Sequence, residues 1–207
     1  MTVNSNLVIV DTACANLSSV RFAFERLGVK PEVTANAARI RSADKVILPG
    51  VGTAQAAMRN LQQLELVEVL KQLEQPVLGI CLGMQLLTNW SAEGNVDCLG
   101  VIPARTLRMQ AQDLPLPHMG WNTVQASNNN PLLANIPPQQ AWFYFVHSYA
   151  VAPDDATIAT CDYGQTFAAM IRHNNYFGAQ FHPERSGAAG AQLLKNFLEL
   201  TDVNTRA

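Results

Sequence analysis

Four short apolar runs alternate with segments of helical periodicity in the first half of the chain, and this alternation restricts the possible folds more than any other feature. The runs are "NLVIV" (Asn6 to Val10), "PEVT" (Pro31 to Thr34), "DKVILPGVG" (Asp44 to Gly52) and "PVLGI" (Pro76 to Ile80). After the first, "NLSSVRFAFERLG" (Asn16 to Gly28) sets Leu17, Val20, Phe24 and Leu27 at three- and four-residue intervals and stops on glycine, as a helix does. "TAQAAMRNLQQLELVEVLKQLEQ" (Thr53 to Gln75) supplies further helix, broken or continuous. Strands joined through helices must run parallel, with helices covering both faces of the sheet.

The second half changes character. From Leu99 to Ala179 the segments are shorter and strand-like: "RTLRM", "WNTVQ", "WFYFVHSYAV", "ATIATC", "FAAMIR" and "YFGAQF". These suit hairpins and antiparallel additions to the sheet. "ASNNNPLLANIPPQQ" (Ala126 to Gln140) reads as a surface loop, and "AGAQLLKNFLEL" (Ala189 to Leu200) as a closing helix. The expected architecture is α/β: an open, twisted, mostly parallel sheet with helices on both faces and antiparallel strands added in the C-terminal half. Residues 1–207 are expected to form one domain.

Composition narrows the function classes. Hydrophobic residues make up 48% and charged residues 14%, a balance that suits a packed globule rather than a disordered chain. A formal net charge of −2 gives no electrostatic case for nucleic acid or an anionic membrane. No apolar run reaches spanning length, and "MTVNSNLVIV" lacks the basic-then-apolar form of a secretory signal. The expected location is the cytoplasm. Four cysteines occur, Cys14, Cys81, Cys98 and Cys161, with no C-x-x-C pair and no histidine at ligand spacing. Reduced thiols and no metal site are expected.

Only Cys81 has a neighbourhood that asks for chemistry. "GICLGM" (Gly79 to Met84) puts it between two glycines where the fourth strand gives way to a helical pattern, "LGMQLL". This is the pattern of a nucleophile elbow, with sulfur in place of a hydroxyl. In open α/β sheets, functional groups collect at the carboxyl ends of the strands. "LPGVG", "CLGM" and "QFHPERSG" (Gln180 to Gly187) all fall there. His182 and Glu184 are two apart, so in extended chain both point to one side, and Pro183 keeps His182 out of the helical region. Glu184 can then orient one imidazole nitrogen while the other faces Cys81, a Cys–His–acid arrangement for nucleophilic catalysis. The backbone N–H groups of Val51 and Leu82 are candidate donors to a developing oxyanion.

"PGVG", "GICLGMQLL" and "GAQFHPERSG" together resemble the signatures of the class I, triad-type glutamine amidotransferases, in order along the whole chain. "LPHMGWN" (Leu116 to Asn122), "YFVHSYAV" (Tyr144 to Val151) and "FHPERSG" are further similar to the glutaminase subunits of imidazole glycerol phosphate synthases, enzymes of histidine biosynthesis. The resemblance implies a flavodoxin-like sheet, with Cys81 as nucleophile, His182 as acid–base and Glu184 as its orienter. It implies that Gln85 faces the polar end of the substrate glutamine, and that Gly50, Gly52, His147, Ser148 and Tyr149 complete the pocket. No cofactor is implied. The partner implied is a separate (β/α)8-barrel cyclase that takes the ammonia, forming a heterodimer. Candidate contacts with it are Asn16, Met119, Trp121, Tyr144 and Arg185. Where the family often reads Tyr-Gly-x-Gly-Asn, this chain has "TACAN" (Thr12 to Asn16), with Ala13 and Ala15 at the glycine positions.

Three other readings compete. One is the glutaminase subunit of anthranilate or aminodeoxychorismate synthase, which typically carries Pro-Gly-Pro-Gly where this chain has "PGVG". Another is a non-catalytic binding module on the same fold. The third is a cysteine hydrolase acting on peptides. If the "GVG" loop must reorient to aim an N–H inward, turnover should be slow until the partner carries its nucleotide substrate.

Overall fold

The structure is a computed structural model, and it describes residues 6–12, 17–127 and 130–201. The first half follows the alternation: β1 (Leu7–Val10), α1 (Leu17–Arg26), β2 (Glu32–Thr34), α2 (Ala37–Arg41), β3 (Lys45–Gly50), α3 (Ala54–Gln63), α4 (Val67–Lys71), β4 (Val77–Cys81) and α5 (Leu82–Leu86). The long helical stretch is broken, not continuous. Glu65 has φ +55, a left-handed conformation that ends one helix before the next begins. Two side chains cap starts: Thr53 accepts from Ala56 N at α3, and Asn36 from Arg39 N at α2.

The remaining strands are β5 (Trp90–Ser91), β6 (Val96–Asp97), β7 (Arg105–Arg108), β8 (His118–Thr123), β9 (Gln125–Ala126), β10 (Trp142–His147), β11 (Tyr149–Val151), β12 (Thr157–Asp162), β13 (Thr166–His173) and β14 (Tyr176–Ala179), followed by α6 (Gly187–Glu199). The main sheet has the order β2-β1-β3-β4-β14-β13-β12-β9. The "WFYFVHSYAV" run divides at Ser148. Its first part pairs with β8 in a two-stranded ribbon, and its second joins a four-stranded sheet with β7, β5 and β6.

β14 corrects the expectation that the second half only adds antiparallel strands. It lies beside β4 and pairs with it in parallel, Tyr176 opposite Val77 and Ala179 opposite Ile80, while pairing antiparallel with β13. Its four residues are all buried, which is the signature of a central strand rather than an edge. The proposed surface loop also differs. Leu132 and Leu133 are buried in a 3-10 turn, and the buried Asn196 side chain donates to the carbonyls of Leu132 and Ala134. Apolar burial outweighs the turn-rich composition there.

Alternation along the central strands builds two cores. Leu7, Ile9, Ile47 and Leu78 pack on one face with Val20 and Phe24 of α1 and with Leu193 and Phe197 of α6. Val8, Val10, Val46 and Leu48 pack on the other with Met58 and Leu61 of α3 and Met84 of α5. Helices therefore cover both faces, and β3, β4 and β14 deliver Gly50, Cys81 and the His182 segment to one rim. No helix among the described residues is long and apolar enough to cross a membrane.

Candidate active site

Cys81 is the last residue of β4 and stands directly before α5, at φ +53 and ψ −111. A non-glycine residue with positive φ carries backbone strain, which surrounding packing must hold. Two glycines make that packing possible. A Cβ on Gly79 would sit 2.6 Å from the Gly83 carbonyl oxygen, and one on Gly83 would sit 1.8 Å from that of Leu48. The helix therefore passes over β3 and β4 at a distance that side chains would forbid.

His182 follows β14 in extended backbone, φ −102 and ψ 92, as the following proline requires. Pro183–Arg185 then turn into a short 3-10 helix, so Glu184 does not reach the ring through extended chain as expected. The turn itself brings the carboxylate round, and His182 Nδ1 lies 2.9 Å from Glu184 Oε1. Both side chains are largely buried, 13% and 5% exposed. Burial favours the uncharged ring, but hydrogen bonding and charge from Cys81 and Glu184 outweigh it and raise His182 to about 10. A charged ring there can give a proton to a departing group in the cavity. Glu184 Oε2 is buried and has no hydrogen-bond partner among the described residues.

A cavity of about 450 Å³ opens at the thiol. Cys81, His182, Val51, Leu82, Gly52 and Gln85 line it, with His147, Ser148 and Tyr149 on the far strands. Gly50 does not line it. It is paired in register with Cys81 and borders a small cavity behind the loop with Val51, His182 and Glu184. Gln85 is buried in the wall, where its Nε2 donates to the Tyr149 carbonyl and to Gln180 Oε1, each at 3.0 Å. Both ring nitrogens of His147 are engaged inside the protein, with His118 at 3.0 Å and the Tyr149 carbonyl at 2.9 Å. Val51 is 40% exposed, and Gly52 beside it has φ +90, a conformation that only glycine adopts freely.

Of the candidate partner contacts, Met119 and Trp121 project from the outer face of the β8–β10 ribbon, 62% and 53% exposed. Tyr144 lies opposite Trp121, half-buried, with the rings edge-on at 6.1 Å. Arg185 is exposed beside Glu184. Asn16, Ala13, Ala15 and Cys14 lie outside the described residues.

Several residues escaped the reading of the sequence. Glu93 and Arg108 line the cavity, one carboxylate and one guanidinium, each brought in by an unremarkable surface-like segment. Gln180 lies between Gln85 and the thiol, its Nε2 4.0 Å from Cys81 Sγ. His118 pairs with His147, and only the opposition of β8 to β10 could have revealed that. Cys98 and Cys161 are free, and burial pushes both up to about 12, so neither competes as a nucleophile. Among the described residues no group of three His, Cys, Asp or Glu is placed to hold a metal ion.

Known proteins resemble this chain over nearly its whole length. Residues 8–200 match the family described as "Glutamine amidotransferase class-I". A protein from Idiomarina loihiensis named "Imidazole glycerol phosphate synthase subunit HisH" is 66% identical over 196 residues, covering 95% of this chain and 98% of its own. Proteins of the same name from Pasteurella multocida and Vibrio cholerae are 60% and 54% identical, each covering 94% of this chain and 98% of its own. Among solved structures, a Thermoplasma acidophilum protein described as a GMP synthase subunit superimposes with a TM-score of 0.72 at 17% identity, covering 95% of this chain and 94% of its own. A glutamine amidotransferase from Thermotoga maritima gives 0.59 at 18%, covering 94% and 84%. At such identities the structures speak for the fold alone.

Proposed function

Because this chain belongs to the glutamine amidotransferase class-I family, we propose that it is the glutaminase subunit of an imidazole glycerol phosphate synthase in histidine biosynthesis. The relatives that carry that name are more than half identical and match it nearly end to end. The observation that carries the reading is the convergence of Cys81 from β4 and His182 from the segment after β14 on one cavity, with Glu184 2.9 Å behind the ring.

Each group has a task. Cys81, as thiolate, attacks the side-chain amide carbon of glutamine. The backbone N–H groups of Val51 and Leu82 hold the oxyanion that forms. His182 gives its proton to the departing ammonia, leaving a glutamyl thioester. Water then adds, its proton passing to His182, and glutamate leaves as the thiolate is restored. Glu184 keeps the ring oriented throughout. Glu93 and Arg108 offer the opposite charges that the α-ammonium and α-carboxylate of glutamine require. Gln85, Gly52, Ser148 and Tyr149 shape the pocket, and Gly50 lets the oxyanion loop pass close to α5, where a Cβ would meet Gly83 N at 2.8 Å.

Glutamine hydrolysis alone wastes its product, so a partner consumes the ammonia. That partner is the (β/α)8-barrel cyclase of the synthase, bound as a heterodimer. The ribbon face bearing Met119, Trp121 and Tyr144, with Arg185 beside it, borders the cavity mouth through Val146 and supports docking there. The test is glutamate release from glutamine with and without the cyclase. Cys81→Ala should abolish release and leave the complex intact. Release that survives the substitution would overturn the assignment.

A further inference from the structure

Two histidines beyond the triad are buried side by side, and their hydrogen bonds run in one direction only. His118, 2% exposed, opposes His147, 6% exposed, across the β8–β10 ribbon. His118 Nδ1 lies 3.0 Å from His147 Nε2, and His147 Nδ1 lies 2.9 Å from the Tyr149 carbonyl oxygen. A carbonyl only accepts, so His147 carries its proton on Nδ1 and its Nε2 is bare. That bare nitrogen needs a donor, which puts the His118 proton on Nδ1.

The far end of the chain requires the same arrangement independently. Asn122 Oδ1 accepts from Thr123 N at 2.8 Å, and Asn122 Nδ2 donates to the Asp162 carbonyl at 3.0 Å. Its amide is thereby fixed with the NH₂ group 3.3 Å from His118 Nε2, which must be bare to accept. Both rings are held as the Nδ1–H tautomer. Burial lowers His118 to about 4, and burial, with the charges of His118 and His182, lowers His147 to about 3, against a smaller opposing effect of the Tyr149 bond. Stacking of the His118 ring against Tyr163 at 4.0 Å and Phe145 at 4.8 Å holds it in place.

The relay ends on a group the pocket depends on. The Tyr149 carbonyl also accepts Gln85 Nε2, whose other hydrogen goes to Gln180 Oε1, and Gln180 in turn points its amide at Cys81 Sγ. With both amide hydrogens used inside the protein, the Gln85 oxygen is the atom left to meet a substrate donor. We propose that His118 and His147 are positioning residues that fix the Tyr149 carbonyl and, through it, the Gln85 amide for glutamine binding. This rests on the reading of the cavity as a glutamine pocket. His118 directly precedes Met119 on β8, so the same strand carries the relay on its inner face and the docking contacts on its outer face.

The test uses the full chain with its cyclase. His118→Phe keeps an aromatic ring in the stack and removes the donor, whereas His118→Asn retains an N–H near the Nδ1 position. His118→Phe should raise KM for glutamine about tenfold, while Cys81 alkylation by iodoacetamide keeps its wild-type rate. His118→Asn should recover KM to within about threefold of wild type. In ¹⁵N-histidine spectra of the wild-type protein at pH 7, both rings should show protonated Nδ1 and bare Nε2, a readout that needs no variant to fold. A wild-type KM in His118→Phe, a KM rise that tracks slowed alkylation, or an Nε2–H form of either ring would overturn the relay. Absence of glutaminase activity in the wild-type complex would instead overturn the functional reading beneath it.

Discussion

The backbone N–H of His182 donates to the carbonyl of Tyr144 at 2.9 Å, tying the histidine that lines the cavity to the β8–β10 ribbon. Ser186 completes the clasp. Its hydroxyl lies 2.6 Å from the His182 carbonyl, to which it donates, and 3.0 Å from Tyr144 N, from which it accepts. Removing it leaves Tyr144 N without this acceptor and the His182 carbonyl with Arg185 N as its remaining donor, next to the imidazole. Ser186→Ala should therefore lower kcat for glutamine about tenfold with KM little changed, since ring placement rather than substrate binding is lost. Steady-state kinetics on the complex decide it.

The His182 imidazolium can be checked through the sulfur. An ordinary thiol is only a few per cent thiolate at pH 7, so His182→Asn should slow iodoacetamide alkylation of Cys81 about tenfold at that pH. Equal rates at pH 7 would mean that the ring does not act on the thiol.

Acid should loosen the fold through the paired histidines. Unfolded histidine titrates near 6.5, while His118 and His147 titrate near 4 and 3 when folded. Between those values the unfolded chain binds protons that the folded chain refuses, so stability falls as the pH drops from about 6.5 towards 4. His182, raised to about 10, is charged in both states across that window and adds no slope. Its contribution is present below about 6.5 and lost as the pH rises through 10. Urea midpoints measured from pH 7 to pH 4 should fall, and less so in His118→Asn.

Trp121 should matter to assembly rather than to folding. Half-exposed aromatics at the centre of an interface commonly cost 2 kcal/mol or more on truncation, and Trp121→Ala should weaken cyclase binding by about that much. The melting temperature of the isolated chain should move little, since an exposed substitution changes stability by about 0.5 kcal/mol or less. Calorimetric titration and thermal melts separate the two effects.

Val51 lies in a loop whose neighbour Gly52 has φ +90 and open space where a Cβ would stand, so the peptide there has room to turn. Glutaminase turnover should be slow for the isolated chain and rise by an order of magnitude or more when the cyclase is loaded with its nucleotide substrate. Equal rates in the two states would remove the gate.

The sequence was informative where local rules act. Cys81 could be picked out because its glycine neighbours permit a turn that few sequences allow, and those glycines do meet backbone in the structure. The alternation of Leu7 to Val10 and of Lys45 to Leu48 foretold a sheet buried on both faces. What stayed hidden depends on pairing across long stretches of chain. Nothing local told that Tyr176 to Ala179 would enter the parallel centre, because a fully buried four-residue strand looks alike in either direction. Glu93 and Arg108 carry no motif, and only the packing of β5 to β7 against the rim brings them to the cavity. His118 was visible within "HMGWN", but its partner became apparent only once β8 was set against β10.

The insertion of β14 next to β4 has a consequence for synthesis on the ribosome. Val77 and Tyr176 are neighbours in the sheet but distant in the order of translation, so the sulfur emerges and its strand can form long before the imidazole is made. A chain still being made thus holds the thiol of Cys81 before it has the imidazole of His182.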